Sequence, residues 1–394
     1  MPGTSILIRA GAALFALCHA PFVHAQGPVT RSGNVYHRAV CPWASEGAAR
    51  CHSHIVTDAN GRPLVNLQAP VAGYTPARLR DAYKIAARGD PSTVIAAVAA
   101  YGYDNAESDL AFYRNYFGLP PCTRKNRCFK KLNQNGNARD YPKQDLDWAQ
   151  DSAIDLEMAG AMCPACTLYL IEANENSFAS LGAAEDTAAR LGAHVILNSY
   201  GGDEPGSQQF EHFYDHPGAT VVASSGDRGF IVQFPASSSH VIAVGGTRLV
   251  PDAGKHRGWS ESAWAEGGSG CSIIYEKPRW QHDLGCARRT VADVAAEADP
   301  QTGVAIYGPL ANGGSGWLEF GGTSVAVPIV GGIYGANGGV AQEGRDLYRH
   351  ARTLFDVKSG SNGSCDPAYL CTAARGYDGP TGNGTPNGIA AFGK

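Results

Sequence analysis

Apolar and polar positions along the chain follow two alternating periods. Residues 94–101, 167–173 (TLYLIEA), 194–200 (HVILNSY), 219–225 (ATVVASS) and 240–246 (HVIAVGG) are short apolar runs rich in β-branched types. Runs of that length and composition predict strands buried on both faces. Residues 145–162 and 177–191 carry a longer, helical pattern, and ARLRDAYKIA after Gly73-Tyr74-Thr75-Pro76 predicts a further helix. Strands alternating with helices predict an α/β fold whose mostly parallel sheet carries helices on both faces. The stretch up to about Val71 is polar and irregular, and residues 251–270, rich in Gly, Ser and Trp, read as a long surface excursion. There is no internal repeat.

Composition narrows the class. Apolar types make up 44% of 394 residues and charged types 17%, enough for a large core and unlike a disordered chain. Lys+Arg number 32 against Asp+Glu 36, a formal charge of -4 with no basic block. That balance speaks against nucleic-acid or anionic-membrane partners. Arg9 followed by apolar residues 10–18, with Val23-His24-Ala25 behind them, reads as a secretory signal cleaved after about Ala25. No later run is long and apolar enough to span a bilayer. The expected product is a secreted protein, extracellular or periplasmic, acting as a monomer. Ten cysteines remain after the signal, in near-neighbour pairs: Cys41/Cys51, Cys122/Cys128, Cys163/Cys166, Cys271/Cys286 and Cys365/Cys371. Local disulfides in an oxidising compartment account for them, and the lone CxxC at Cys163 lacks the second pair a zinc site needs.

Candidate chemistry lies in three places. Gly321-Gly322-Thr323-Ser324 precedes an apolar helical run, so Ser324 opens a helix with little steric cover. A nucleophile and its developing anion gain from backbone N–H groups there, although an N-cap serine has the same pattern. No histidine stands in a setting that would serve such a serine. Asp151 and Asp155 are four apart on a predicted helix and share a face. Two close carboxylates resist double ionisation, so the pair can hold one proton and act as a base at acid pH. The plainer reading is a solvated acidic face. Asp227, in Ser224-Ser225-Gly226-Asp227, is either an Asx-turn residue or a protonated acid that donates to an oxyanion.

Together GGTSxAxP, the acidic helix running into DLEMAGAMCP, the SSGDxG turn, PASSSHVIAVGGT and GYDGPTGNGTPNG resemble the sedolisins, the serine-carboxyl peptidases. The resemblance runs from about Gly73 to Phe392 with the motifs in family order. It implies a subtilisin-like fold, Ser324 as nucleophile, Asp155 as the aspartate of the carboxylate pair and Asp227 as the oxyanion-hole aspartate. Ser199 and Gly201, at a strand end, are implied to pair with substrate backbone. A structural calcium ion is implied as well, held by the Asp356 and Asp378 carboxylates and the carbonyls of Val357, Ala374 and Gly376. Hard oxygen donors of this kind suit Ca²⁺. The activity implied is hydrolysis of protein or peptide substrates by an acid endopeptidase.

The chain departs from the family at two points. Asp151 stands where the family has Glu, one methylene longer, and a misplacement of about 1 Å costs on the order of 100-fold in rate. Residues 26–72 are too few for the family's folded prodomain, leaving a reduced propeptide or none before a peptidase domain over residues 73–394. The alternative is a pseudopeptidase that binds peptides or a partner on the same scaffold.

Overall fold

The computed structural model describes Gly3 and residues 27–70, 72–339 and 343–393. The expected signal segment, Gly3 apart, lies outside the described residues. Four short strands come first: β1 (Thr30–Ser32), β2 (Val35–Ala39), β3 (Arg50–Cys51) and β4 (His54–Thr57). The stretch that reads as irregular is therefore partly strand: β1, β2 and β4 pair with one another, and β3 and β4 also pair with distant segments. After α1 (Pro76–Ala82) the chain alternates: β5 (Val94–Ala100), α2 (Ala106–Tyr116), β6 (Phe129–Asn133), α3 (Leu146–Met162), β7 (Thr167–Ala173), α4 (Phe178–Arg190) and β8 (Val195–Asn198). Next come β9 (Tyr200–Asp203), β10 (Thr220–Ser224), β11 (Gln233–Phe234), β12 (Ile242–Pro251), β13 (Trp259–Ala263), β14 (Gly270–Cys271) and β15 (Thr290–Val291). The remainder holds β16 (Val294–Glu297), β17 (Val304–Pro309), β18 (Ser315–Gly321), α5 (Thr323–Ala336) and α6 (Arg345–Arg349).

The central sheet has the order β13-β12-β10-β8-β5-β7-β6, with β16 added to β12. Every pairing in it is parallel except β12 with β13. Helices cover both faces. On β8, Val195 and Leu197 pack beside Gly331 of α5, while Asn198 points the other way to Glu185 of α4. Period-two alternation separates those directions. Helices α3 and α5 lie together, and Gly332 permits it: a Cβ there would stand 2.7 Å from the Met162 Cβ and 2.9 Å from the Ala159 carbonyl.

Two expectations need correction. Residues 251–270 are not an excursion, since β12 and β13 form an antiparallel hairpin with Pro251 opposite Trp259. The run 194–200 is not one strand, because it breaks at Ser199 into β8 and β9, which join different sheets. The five near-neighbour cysteine pairs are all disulfides.

A second sheet, β1-β2-β4-β18-β17, joins the N-terminal strands to the strand that leads into Ser324. The short sheet β11-β9-β3 does the same on the other flank. Residues 27–57 are thus paired into the sheets around the helix α5 N-terminus.

Candidate active site

Helix α3 starts at Asp145, whose side chain accepts the Trp148 N–H at 3.1 Å. From Trp148 to Met162 all its side chains are buried, which rules out a solvated acidic face. Asp151 and Asp155 are enclosed with no cation beside them. Burial raises the Asp151 pKa to about 7, and the nearby Ser324 and Ser53 hydroxyls pull against that rise. Burial pushes Asp155 well above the usual carboxylate range, the charge of Asp151 adds to it, and Ser199 opposes it. The Ser199 hydroxyl donates to Asp155 Oδ1 at 2.5 Å. Asp151 Oδ1 and Asp155 Oδ2 are buried without partners. A shared proton suits such a pair, since two buried like charges cannot both persist.

Ser324 is the second residue of α5. Gly322 before it has φ +97°, and a Cβ there would meet the His52 carbonyl oxygen at 2.3 Å and Asp227 Oδ2 at 2.8 Å. Only glycine fits that turn and that space. Pro328, four residues after Ser324, has no N–H to give the Ser324 carbonyl, which lies 3.5 Å from Ser199 Oγ. Ser324 Oγ donates to the Ser199 carbonyl at 2.8 Å and also lies beside Asp151.

Asp227 lies on the opposite side of the helix start. Its Oδ1 accepts the Thr323 N–H at 2.9 Å and the Thr323 hydroxyl at 2.7 Å. Burial lifts its pKa to about 7 against those two bonds. Oδ2 has no hydrogen-bond partner and faces the same space above Gly322 as the His52 carbonyl. A protonated Oδ2 beside the Ser324 N–H is a two-donor site for a carbonyl oxygen that gains negative charge. Thr323 is a positioning residue that the sequence reading passed over. Its place between the Gly321-Gly322 turn and Ser324 carries no distinctive pattern, and only the fold sets it against Asp227.

That space is filled by the chain's own N-terminal strand. The Ser324 N–H donates to the His52 carbonyl at 2.8 Å, and the His52 N–H donates to the Ser199 carbonyl at 3.1 Å. Arg50 pairs with Gly201 and Cys51 with Tyr200, so an internal extended backbone lies along this strand edge. The His52 imidazole is buried against Gly201, with Nδ1 2.7 Å from Ser224 Oγ. On the far side His54 pairs with Gly321 and Ile55 with Phe320. His54 Nδ1 lies 2.9 Å from His37 Nδ1, and its Nε2 lies 3.6 Å from Asp227 Oδ2. A separate cavity of about 980 Å³, lined by residues such as His240, Trp280 and Arg349, shares none of these groups.

Of the expected calcium ligands, the Asp356 and Asp378 carboxylates both bond the loop 374–376. Asp356 Oδ1 accepts the Gly376 N–H at 3.0 Å, and Asp378 Oδ2 accepts the Ala374 N–H at 2.9 Å. Asp378 Oδ1 takes the Thr381 N–H at 2.9 Å. Burial lifts the Asp378 pKa to about 7, with Asp356 adding to the rise. The Lys358 ammonium, 3.4 Å from Asp356 Oδ2, is an exposed partial counter-charge. Two carboxylates closing on one loop, one of them buried, fit a hard cation by charge and donor type.

A subtilisin-like α/β fold with a helix-opening serine, a buried carboxylate pair and a protonatable aspartate defines a class of hydrolase scaffold. A profile of the subtilase family matches residues 132–337, and the chain belongs to that family, within its sedolisin branch. Kumamolisin from Bacillus sp. (strain MN-32) is 29% identical over 86% of this chain and 67% of its own length. Sedolisin from Pseudomonas sp. (strain 101) is 27% identical over 75% of this chain and 56% of its own length, so the chain spans little more than half of that relative. The solved structure of Pseudomonas sedolisin, a serine-carboxyl proteinase complexed with two molecules of pseudo-iodotyrostatin, superposes with a TM-score of 0.69 at 24% identity. It covers 81% of this chain and 96% of that one.

Proposed function

We propose that the chain is a secreted, acid-active serine-carboxyl endopeptidase. The observation that carries this reading is one peptide carbonyl set on the Ser324 N–H near Asp227 Oδ2, with Asp151 beside the Ser324 hydroxyl and Asp155 beside Asp151. Ser324 Oγ attacks the carbonyl carbon of a substrate peptide. The Asp151/Asp155 pair takes the hydroxyl proton and returns it to the leaving nitrogen. The oxyanion is held by the Ser324 N–H and the Asp227 carboxyl O–H. Ser199 and Gly201 align the substrate backbone as an added strand.

The pH profile tests it. Asp227 must be protonated to donate, and its raised pKa is about 7, so the donor is lost as pH climbs through that value. Asp151 must be ionised to act as base, which sets the acid limb. Water reaching Asp151 in an open cleft lowers that limb, since burial is what raises it. Hydrolysis of denatured protein, measured from pH 3 to 8, is expected to peak on the acid side of 7 and to fall above it. Activity that climbs toward pH 8 excludes the mechanism. The second reading, a pseudopeptidase, draws on the Ser324 hydroxyl donating to the Ser199 carbonyl. It expects no hydrolysis at any pH.

Calcium is proposed for the Asp356/Asp378 loop, where it would neutralise two carboxylates and tie residues 374–376 to the body. An ion bound only by the native state at about 100-fold above its Kd stabilises by about 2.7 kcal/mol. At about 2–4 °C per kcal/mol for a large domain, chelation is expected to lower Tm by roughly 5 °C or more. Asp378→Ala should abolish that response, and a melting curve indifferent to excess chelator removes the ion.

A further inference from the structure

We infer that the chain holds a transition-metal ion, zinc by donor type, at His37, His54 and Glu266, where it ties the N-terminal strands to the body. The site is separate from the Asp356/Asp378 loop, and nothing in it depends on hydrolysis.

Three elements bring the donors together. His54 stands opposite Ala39 in the ladder of β2 and β4, so His37, two residues before Ala39, is its diagonal neighbour on the same face. Glu266 comes from the body, in the turn after β13, where its backbone carbonyl accepts the Gly229 N–H at 2.7 Å. His37 Nδ1 lies 2.9 Å from His54 Nδ1, and Glu266 Oε2 lies 3.7 Å from that same His54 nitrogen. One ligand atom from each residue stands within 4.8 Å of the other two. Zinc bonds of about 2.0–2.1 Å in a tetrahedron separate neighbouring donors by about 3.3 Å, a spacing that the two shorter distances bracket.

The remainder of each ring is held as a metal ligand's is. A ligating imidazole anchors its other nitrogen in the surrounding shell. His37 Nε2 lies 2.9 Å from Ser32 Oγ, and His54 Nε2 is turned to Asp227 Oδ2 at 3.6 Å. Both imidazoles are buried, and burial is the first cause that lowers their pKa values, so they stand neutral, the form that binds a metal. Of the nearby charges, Arg50 opposes a cation, whereas Glu266 and Asp227 favour it. Two imidazoles and one carboxylate leave a fourth position for water and select zinc over calcium, which prefers all-oxygen sets. A proton shared between the two Nδ1 atoms would join only two of the three groups. A cation joins all three. His54 is two residues past the carbonyl that sits on the Ser324 N–H, so the ion fastens the strand that crosses the cleft.

The Ser324→Ala chain, in which no hydrolysis intervenes, is stripped of transition metals, saturated with calcium and titrated at pH 7 with Co²⁺ and then Zn²⁺. One equivalent of Co²⁺ should bind with the intense visible bands of a four- or five-coordinate ion, and zinc should displace it. X-ray absorption of the zinc form should show imidazole nitrogens at about 2.0–2.1 Å. Zinc at about 100-fold above its Kd should raise Tm by roughly 5 °C or more. Glu266→Gln is near-isosteric at a partly exposed position and should weaken binding by at least about 10-fold. His37→Gln should abolish the cobalt bands, with melting in calcium alone showing whether the variant is folded. If it is not, Glu266→Gln and the absorption spectrum decide. His240→Ala is the control, because Asp215, His240 and Glu343 form another cluster of metal-ligating type, and it should bind as the parent does. No bound equivalent, a shell without imidazole, binding unchanged by Glu266→Gln, or binding lost in His240→Ala overturns the inference and leaves the peptidase reading standing.

Discussion

Ser324→Ala is expected to lower kcat for peptide hydrolysis by on the order of 10⁴-fold or more, to background. In a serine peptidase the nucleophile and its proton-transfer partners act as a unit, so losing the nucleophile costs about as much as losing all of them, and the oxyanion site alone leaves only residual catalysis. No neighbouring hydroxyl can substitute. Ser199 Oγ is committed to Asp155 at 2.5 Å, and the Ser53 hydroxyl belongs to the strand that fills the cleft. The fold should survive. Ser324 Oγ donates to a Ser199 carbonyl that still accepts from His52, and it neighbours an Asp151 whose raised pKa lets it persist protonated. A net hydrogen bond is worth about 0.5–1.5 kcal/mol, so Tm should move by only a few degrees. Steady-state kinetics on a peptide, with Tm measured on the same preparation, check both halves. Retained hydrolysis at a tenth of wild type would place the nucleophile elsewhere.

The second large effect concerns Asp151. Asp151→Ala is expected to cost at least about 100-fold in kcat, the lower range for removing a general base. KM should change little, because Asp151 handles the proton rather than the substrate backbone. Asp151→Glu is expected to raise kcat about tenfold. The Ser324 proton goes to the Ser199 carbonyl, and Asp151 Oδ1 is left without a partner. One more methylene brings a carboxylate oxygen toward the serine hydroxyl, within the ~2.6–3.2 Å that proton transfer requires. A slower Glu variant would mean that the packed α3 site already fits the shorter arm. Activity untouched by Asp151→Ala would remove Asp151 from the mechanism.

Much of the scaffold was legible because its signals are local. Helix α3 begins where Asp145 caps it, and Ser177 caps α4 in the same way, accepting the Ser180 N–H at 3.2 Å. The strand β7 coincides with the run TLYLIEA, since a central strand must be apolar on both faces. The break at Ser199 was not legible. Its residues have strand character throughout, and only the divergence of two sheets turns the chain there. The hairpin of β12 and β13 was hidden for a related reason, because Gly- and Ser-rich sequence reads as loop until a partner strand is in place.

The sequence by itself determined which residue types meet the chemistry: a glycine-cradled Ser324, the i,i+4 pair Asp151 and Asp155, and Asp227 in a glycine turn. It also pointed to near-neighbour cysteine pairs as the economical reading, whereas the connectivity itself came from the structure. Only the tertiary structure decided protonation. Whether an acidic helix face is solvated or buried depends on α5 and the N-terminal strands lying over it, and burial is the first cause of the raised pKa values of Asp151, Asp155 and Asp227. The structure alone also decided what occupies the cleft. Residues 50–55 read as an unremarkable polar stretch, because the partners that place them in the cleft lie some 150 and 267 positions away, at Gly201 and Gly321. The nearer pairing of His54 and Ile55 with Ala39 and Arg38 does not by itself bring them to Ser324.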